Sequence, residues 1–145
     1  MDLKTVFSGH HRLLDGLFET AQTQVTTGDW ADARTTFRNF RAAIERHMQT
    51  EEAILFPAYE GAHGVDNPLT GILRKGHKDL RSFFDEIAEA LDDADAEEAG
   101  ALLGTAGQIL LHHDAKEEEE LYPATGPLLS EDTTATAARQ LEPSN

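Results

Sequence analysis

Four histidines and two glutamates recur at one spacing. His11 and His47 lie 36 residues apart, His77 and His113 lie 36 apart, and the second pair repeats the first at an offset of 66. In each half a glutamate follows the second histidine by four positions, Glu51 after His47 and Glu117 after His113. The same offset of 66 superposes Arg12 on Lys78, Leu14 on Leu80, Phe18 on Phe84, Glu52 on Glu118, Leu55 on Leu121, Phe56 on Tyr122 and Pro57 on Pro123. The chain is therefore an internal repeat, and whatever one half folds into the other must closely match.

Apolar residues recur in alternating steps of three and four along most of the chain, which is the pattern of helices packed in a bundle rather than of strands. Breakers divide it into four helices, over about 3–27, 30–60, 68–92 and 96–122. Gly28 suits a left-handed cap, Asp29 and Asn67 suit N-caps, and Pro68 suits the first turn, where its missing N–H costs nothing. Asp95 followed by Glu98 reads as a capping box. Leu55-Phe56-Pro57 and Leu121-Tyr122-Pro123 read as core anchors followed by a helix stop or kink. The expected fold is all-α: two repeated helical hairpins over residues 1–123, followed by a partly ordered tail over 124–145.

On these helices the stripes that should face the core contain polar members. Helix one carries Phe7, His11, Leu14 and Phe18; helix two carries Phe40, Ile44, His47, Glu51 and Ile54; helix three carries Leu73, His77 and Leu80; helix four carries Leu110, His113 and Glu117. Burying such groups unpaired costs several kcal/mol apiece, so something must compensate. A cation held between the helices does so economically. A histidine and a glutamate four apart share one face of a helix and reach the same ion. The spacing gives His11 and His47 to one ion and His77 and His113 to another, with Glu51 and Glu117 bridging both. Six donors are too many for one tetrahedral zinc, and the arrangement leaves coordination positions open to small ligands.

The repeat also excludes residues. His10 pairs with Gly76 and His112 with Arg46, so both stay outside the donor set, as does His63 in the loop. Glu52 and Glu118 are open between solvent and site. Asp15, one turn after His11, is either a carboxylate that orients an imidazole or a surface acid, and Tyr59 and Tyr122 read as packing residues. With 12 Lys+Arg against 27 Asp+Glu the formal charge is −15, which repels phosphate backbones and anionic lipid. No nucleic-acid or membrane partner is expected, and a cytoplasmic location is. There is no cysteine, so a metal has only imidazole and carboxylate to bind.

HRLLDGLF at 11–18, HMQTEEAILFP at 47–57, HKDL at 77–80 and HDAKEEEELYP at 113–123 together resemble the hemerythrin family, the HHE cation-binding domains, from about Leu3 to Pro123. The resemblance implies an up-down-up-down antiparallel four-helix bundle around two non-haem Fe ions, oxo- or hydroxo-bridged and carboxylate-bridged. It also carries His11, His47, Glu51, His77, His113 and Glu117 onto the family's ligand positions. Oxygen carriers of that family have a second histidine on the third helix, where Leu73 and Arg81 stand here. A near-symmetric centre follows, closer to the family's bacterial cluster-repair and nitric-oxide or peroxide-responsive members, although the cysteine-containing segment of the repair proteins is missing. The expected ligands are O2, NO or peroxide, bound for sensing, storage or scavenging. An oxidoreductase or cluster-repair role is the alternative, and an iron or zinc buffer a third.

Overall fold

A computed structural model describes residues 1–143. Every regular element among them is helical: α1 (Leu3–Thr27), α2 (Trp30–Thr50), α3 (Phe56–His63), α4 (Pro68–Asp92), α5 (Ala96–Lys116), α6 (Tyr122–Thr125) and α7 (Glu131–Gln140). Two π-helical turns, Glu51–Leu55 and Glu117–Leu121, join α2 to α3 and α5 to α6 without interrupting the helical path. No helix among the described residues is long and apolar enough to cross a membrane.

Local chemistry sets most of the ends. The Asp2 carboxylate accepts from the Thr5 amide (3.1 Å), the Asn67 carbonyl from Thr70 (2.9 Å) and Asp95 from Glu98 (3.1 Å), each satisfying one of the free amides of a first turn. Gly28, at φ 79°, closes α1 in the left-handed conformation that glycine adopts without penalty. Asp29 occupies the N-cap of α2 but makes no capping bond; its carboxylate takes the Thr27 hydroxyl instead (2.8 Å).

The prolines were expected to stop or kink their helices, and neither stops its helix. The helix runs through Pro57 to His63, and through Pro123 to Thr125. A proline ring collides with the carbonyl four residues back in an α-ladder. Widening the preceding turn relieves that, and the amides of Phe56 and Tyr122 bond to Glu51 and Glu117, five residues back. The widening also advances the inward face by one residue. Leu55 and Phe56 are buried where the stripe pointed to Ile54, and Leu121 and Tyr122 are buried in the other half.

The four long helices form a bundle in which α1 packs on α2 and α5, and α4 packs on α5 and α2. Their apolar side chains gather in two clusters. One contains Leu14, Phe18, Phe40, Ile44, Leu80, Phe84 and Leu103. The other contains Phe7, Leu55, Phe56, Leu73, Leu121 and Tyr122, and is joined by Ala137 and Leu141 from the C-terminal segment, so that α7 lies against α1 and α2. His11 falls in sequence between Phe7 and Leu14, and His77 between Leu73 and Leu80, so each belongs to a polar layer between the two clusters.

Candidate metal centre

Each long helix contributes one histidine to that layer, and the two π turns contribute one glutamate each. The structure brings all six together. His11, His47, Glu51 and Glu117 offer donor atoms within 4.8 Å of one another, and so do Glu51, His77, His113 and Glu117. The two groups share both glutamates. Glu51 turns Oε2 toward His47 Nε2 (3.2 Å) and Oε1 toward His77 Nε2 (3.1 Å). Glu117 turns Oε1 toward His11 Nε2 (3.2 Å) and Oε2 toward His113 Nε2 (3.3 Å). Each carboxylate thus faces both groups with separate oxygens. Both glutamates are fully buried, and His11, His47 and His77 are at most 2% exposed.

Such a layer needs positive charge. Burial pushes the Glu51 carboxyl up, but His47 and the bonds from His47 and His77 outweigh it and hold the group well below the usual carboxylate range. Burial lowers His11, but its contact with Glu117 and the charges of Asp114, Glu117 and Glu51 raise it to about 10. His77 rises to about 9 against its own burial, through Glu51 and Glu52. The carboxylates therefore hold protons on imidazoles where a cation could take their place. Two atoms of the second group, His113 Nε2 and Glu117 Oε2, are buried without any hydrogen-bond partner although they face one another. Buried orphans of this kind are what a bound ion satisfies. A donor set of imidazole and carboxylate oxygen suits first-row metals such as iron, zinc, copper or nickel, and carboxylate can bridge two ions.

Around the six donors stands a layer that fixes them. Glu118, from the second hairpin, accepts from His11 Nδ1 of the first (2.7 Å), and Glu52 of the first accepts from His77 Nδ1 of the second (2.6 Å). Each bond fixes the tautomer that leaves Nε2 free to face the centre. Arg12 in turn holds Glu118 (2.8 Å), and Arg81 spans Glu52 (2.8 Å) and Glu45 (2.8 Å). Burial alone would raise the Glu52 carboxyl, but His77 and Arg81 bring it down to about 2. Glu52 and Glu118, open in the sequence, thus orient imidazoles across the hairpins. Asp15 does not, and pairs with Arg12 at the surface (3.3 Å).

Two residues assigned elsewhere by the sequence, His10 and Tyr122, and one it did not single out, Asp114, lie against the donors. His10 was set aside with the surface histidines, yet its Nδ1 is 2.8 Å from that of His47; burial and the His47 charge lower it to about 4, so it stays neutral and can accept. Asp114 comes within 3.3 Å of His11 Nε2 and is raised to about 7 by burial, against the attraction of His11. Tyr122 was read as packing, yet its hydroxyl donates to Glu51 Oε2 (2.6 Å) and lies 3.1 Å from both Glu117 Oε1 and His11 Nε2. Burial, then the charges of Glu117 and Glu51, raise that phenol well above its ordinary value. His112 and His63 stay outside the layer, His63 stacking on Tyr59 at 4.1 Å.

Compared with known families, residues 2–125 match the hemerythrin HHE cation binding domain. Comparison with curated proteins and with solved structures finds no match.

Proposed function

Because the chain belongs to the hemerythrin HHE cation-binding family, we propose that it is a non-haem di-iron protein that binds O2, or a related small ligand such as NO or peroxide, for sensing, storage or scavenging. His11 and His47 hold one ion, His77 and His113 hold the other, and Glu51 and Glu117 bridge them. In this reading residues 1–123 are an up-down-up-down antiparallel four-helix bundle, and residues 124–145 are an appended segment. One observation carries the assignment: two donor groups of two imidazoles and two carboxylates, sharing both carboxylates through opposite oxygens.

When bound, the iron pair supplies open coordination positions and redox chemistry toward a small ligand. The chain does the rest. Glu52 and Glu118 hold His77 and His11 in one tautomer and orientation. The apolar clusters on either side exclude water from the layer, which strengthens every charge interaction within it. A seam site of this rigidity is a poor exchanger of metal, which disfavours a simple buffer.

Iron analysis of the purified chain, loaded anaerobically with ferrous iron, tests the assignment directly. Two irons per chain are expected, with a visible spectrum that changes on admitting oxygen and returns on its removal. A stoichiometry of one or none would refute the paired centre, and a two-iron protein indifferent to O2, NO and peroxide would refute the ligand role.

A further inference from the structure

The repeat that equalises the donors fails at one buried position. Residue 56 is phenylalanine and its counterpart is Tyr122, both within 1% of full burial. Phe56 lays its ring beside His77, centroid to centroid 5.2 Å, and brings no donor atom. Tyr122 brings an oxygen. That oxygen lies 3.1 Å from His11 Nε2, 3.2 Å from His47 Nε2, 2.6 Å from Glu51 Oε2 and 3.1 Å from Glu117 Oε1.

Those four atoms are the donors of the first group. Metal bonds to nitrogen and oxygen run at about 2.1 Å, so donors at right angles about one ion lie about 3 Å apart. A single atom near that distance from all four donors stands where a further vertex about the same ion would lie. The phenol gives its one proton to Glu51, and the lone pairs that the two imidazoles face without an ion are the ones a cation would use.

We propose that Tyr122 Oη is a fifth donor to the ion held by His11 and His47, which makes the two metal positions inequivalent and leaves the vacant vertex on the ion held by His77 and His113. The proposal rests on the di-iron reading above. On coordination the phenolic O–H bond breaks, its proton leaves to solvent and the oxygen lone pair goes to the ion. The first position then has five protein donors and the second has four. A small ligand binds at the second, on the side of Phe56. A groove beside His113 is lined by Leu73, Gly76, Ile109 and His112.

The chain has only two tyrosines, Tyr59 and Tyr122, so a phenolate signal has only two sources. The test is visible absorption and resonance Raman spectroscopy of the full chain in the ferric state, for the wild type, Tyr122→Phe and Tyr59→Phe, each with its iron content measured. Wild type and Tyr59→Phe should show a phenolate-to-iron charge-transfer band with enhanced tyrosine ring modes, and Tyr122→Phe should lose the band. If Tyr122→Phe fails to hold iron, persistence of the band in Tyr59→Phe still assigns it to Tyr122. Two irons in the wild type without such a band would overturn the fifth donor and leave the di-iron centre standing, as would a band that survives in Tyr122→Phe or vanishes in Tyr59→Phe. A wild type that takes up no iron would overturn both.

Discussion

Around His11 and His47 stand a phenol, a carboxyl group and a third imidazole: Tyr122, Asp114 and His10. Around His77 and His113 the repeat places Phe56, Met48 and Gly76 at the same registers. The donors themselves match across the halves, and so do the carboxylates that orient them, Glu118 on His11 and Glu52 on His77. What distinguishes two candidate donor groups of matching histidines and glutamates is therefore what surrounds them, which is polar in one half and apolar or missing in the other. A sequence that looks symmetric at its six candidate donors encodes asymmetric surroundings for them.

The largest effect should come from removing what the halves share. Glu117 reaches His11 with one oxygen and His113 with the other, so Glu117→Ala strips a donor from both positions at once. Iron content should fall from two per chain to one or none, and Glu51→Ala should behave alike. A variant that kept two irons would show that the halves bind independently and that neither carboxylate bridges.

Next come two substitutions at equivalent registers that the comparison expects to differ. A Cβ at Gly76 would sit 2.6 Å from His113 Nδ1, nearer than atoms can approach, so Gly76→Ala must displace the imidazole. The second ion should be lost while the first remains. In the other half His10 only accepts from His47 Nδ1, and removing an outer partner of this kind typically weakens metal affinity by about 10- to 100-fold without abolishing binding. His10→Ala should therefore keep two irons when iron is in excess and lose one first under a competing chelator. Equal behaviour of the two variants would erase the distinction between a crowded and a buttressed imidazole.

Much of this centre was legible from spacing alone. The six side chains that the structure brings together were picked out because they occupy apolar registers of an α-helical period and repeat at 66 residues, and α1 ends at Gly28 and α4 begins after Asn67, where the glycine and the cap put them. Tyr122 was not legible, for a reason in the backbone. Five residues after Glu117 an α-helix points about 140° away from it, which argues for packing on another face. The π turn at Glu117–Leu121 brings the two side chains into line, and their oxygens meet at 3.1 Å. The signal available in advance was the proline at 123 directly behind a buried run, since a ring that cannot sit in an α-ladder invites such a turn at functional sites. His10 was missed because it has no counterpart in the repeat, and the repeat can identify only what both halves possess.

The smallest expected effect separates the halves by their affinity for protons. In the metal-free protein His11 and His77 have folded values of about 10 and 9, above the 6.5 of the unfolded chain. A group whose folded value is raised stabilises fully below its unfolded value and loses that contribution as pH climbs through the folded one. Thermal stability of the chelated protein should accordingly be high near pH 6.5 and fall by several degrees toward pH 10. Asp114, raised from 3.8 to about 7, also loses stability as pH rises, but between those two values, below the range in which the histidines titrate. The iron-loaded protein should fall less, because its imidazoles hold metal in place of protons. Asp114 is also the carboxylate that His11 has and His77 lacks, so Asp114→Asn should bring the upper end of the decline down toward pH 9, where the His77 half sets it. A decline unmoved by that substitution would mean that Glu117 and Glu51 alone hold the His11 proton, and that the halves differ in shape but not in charge.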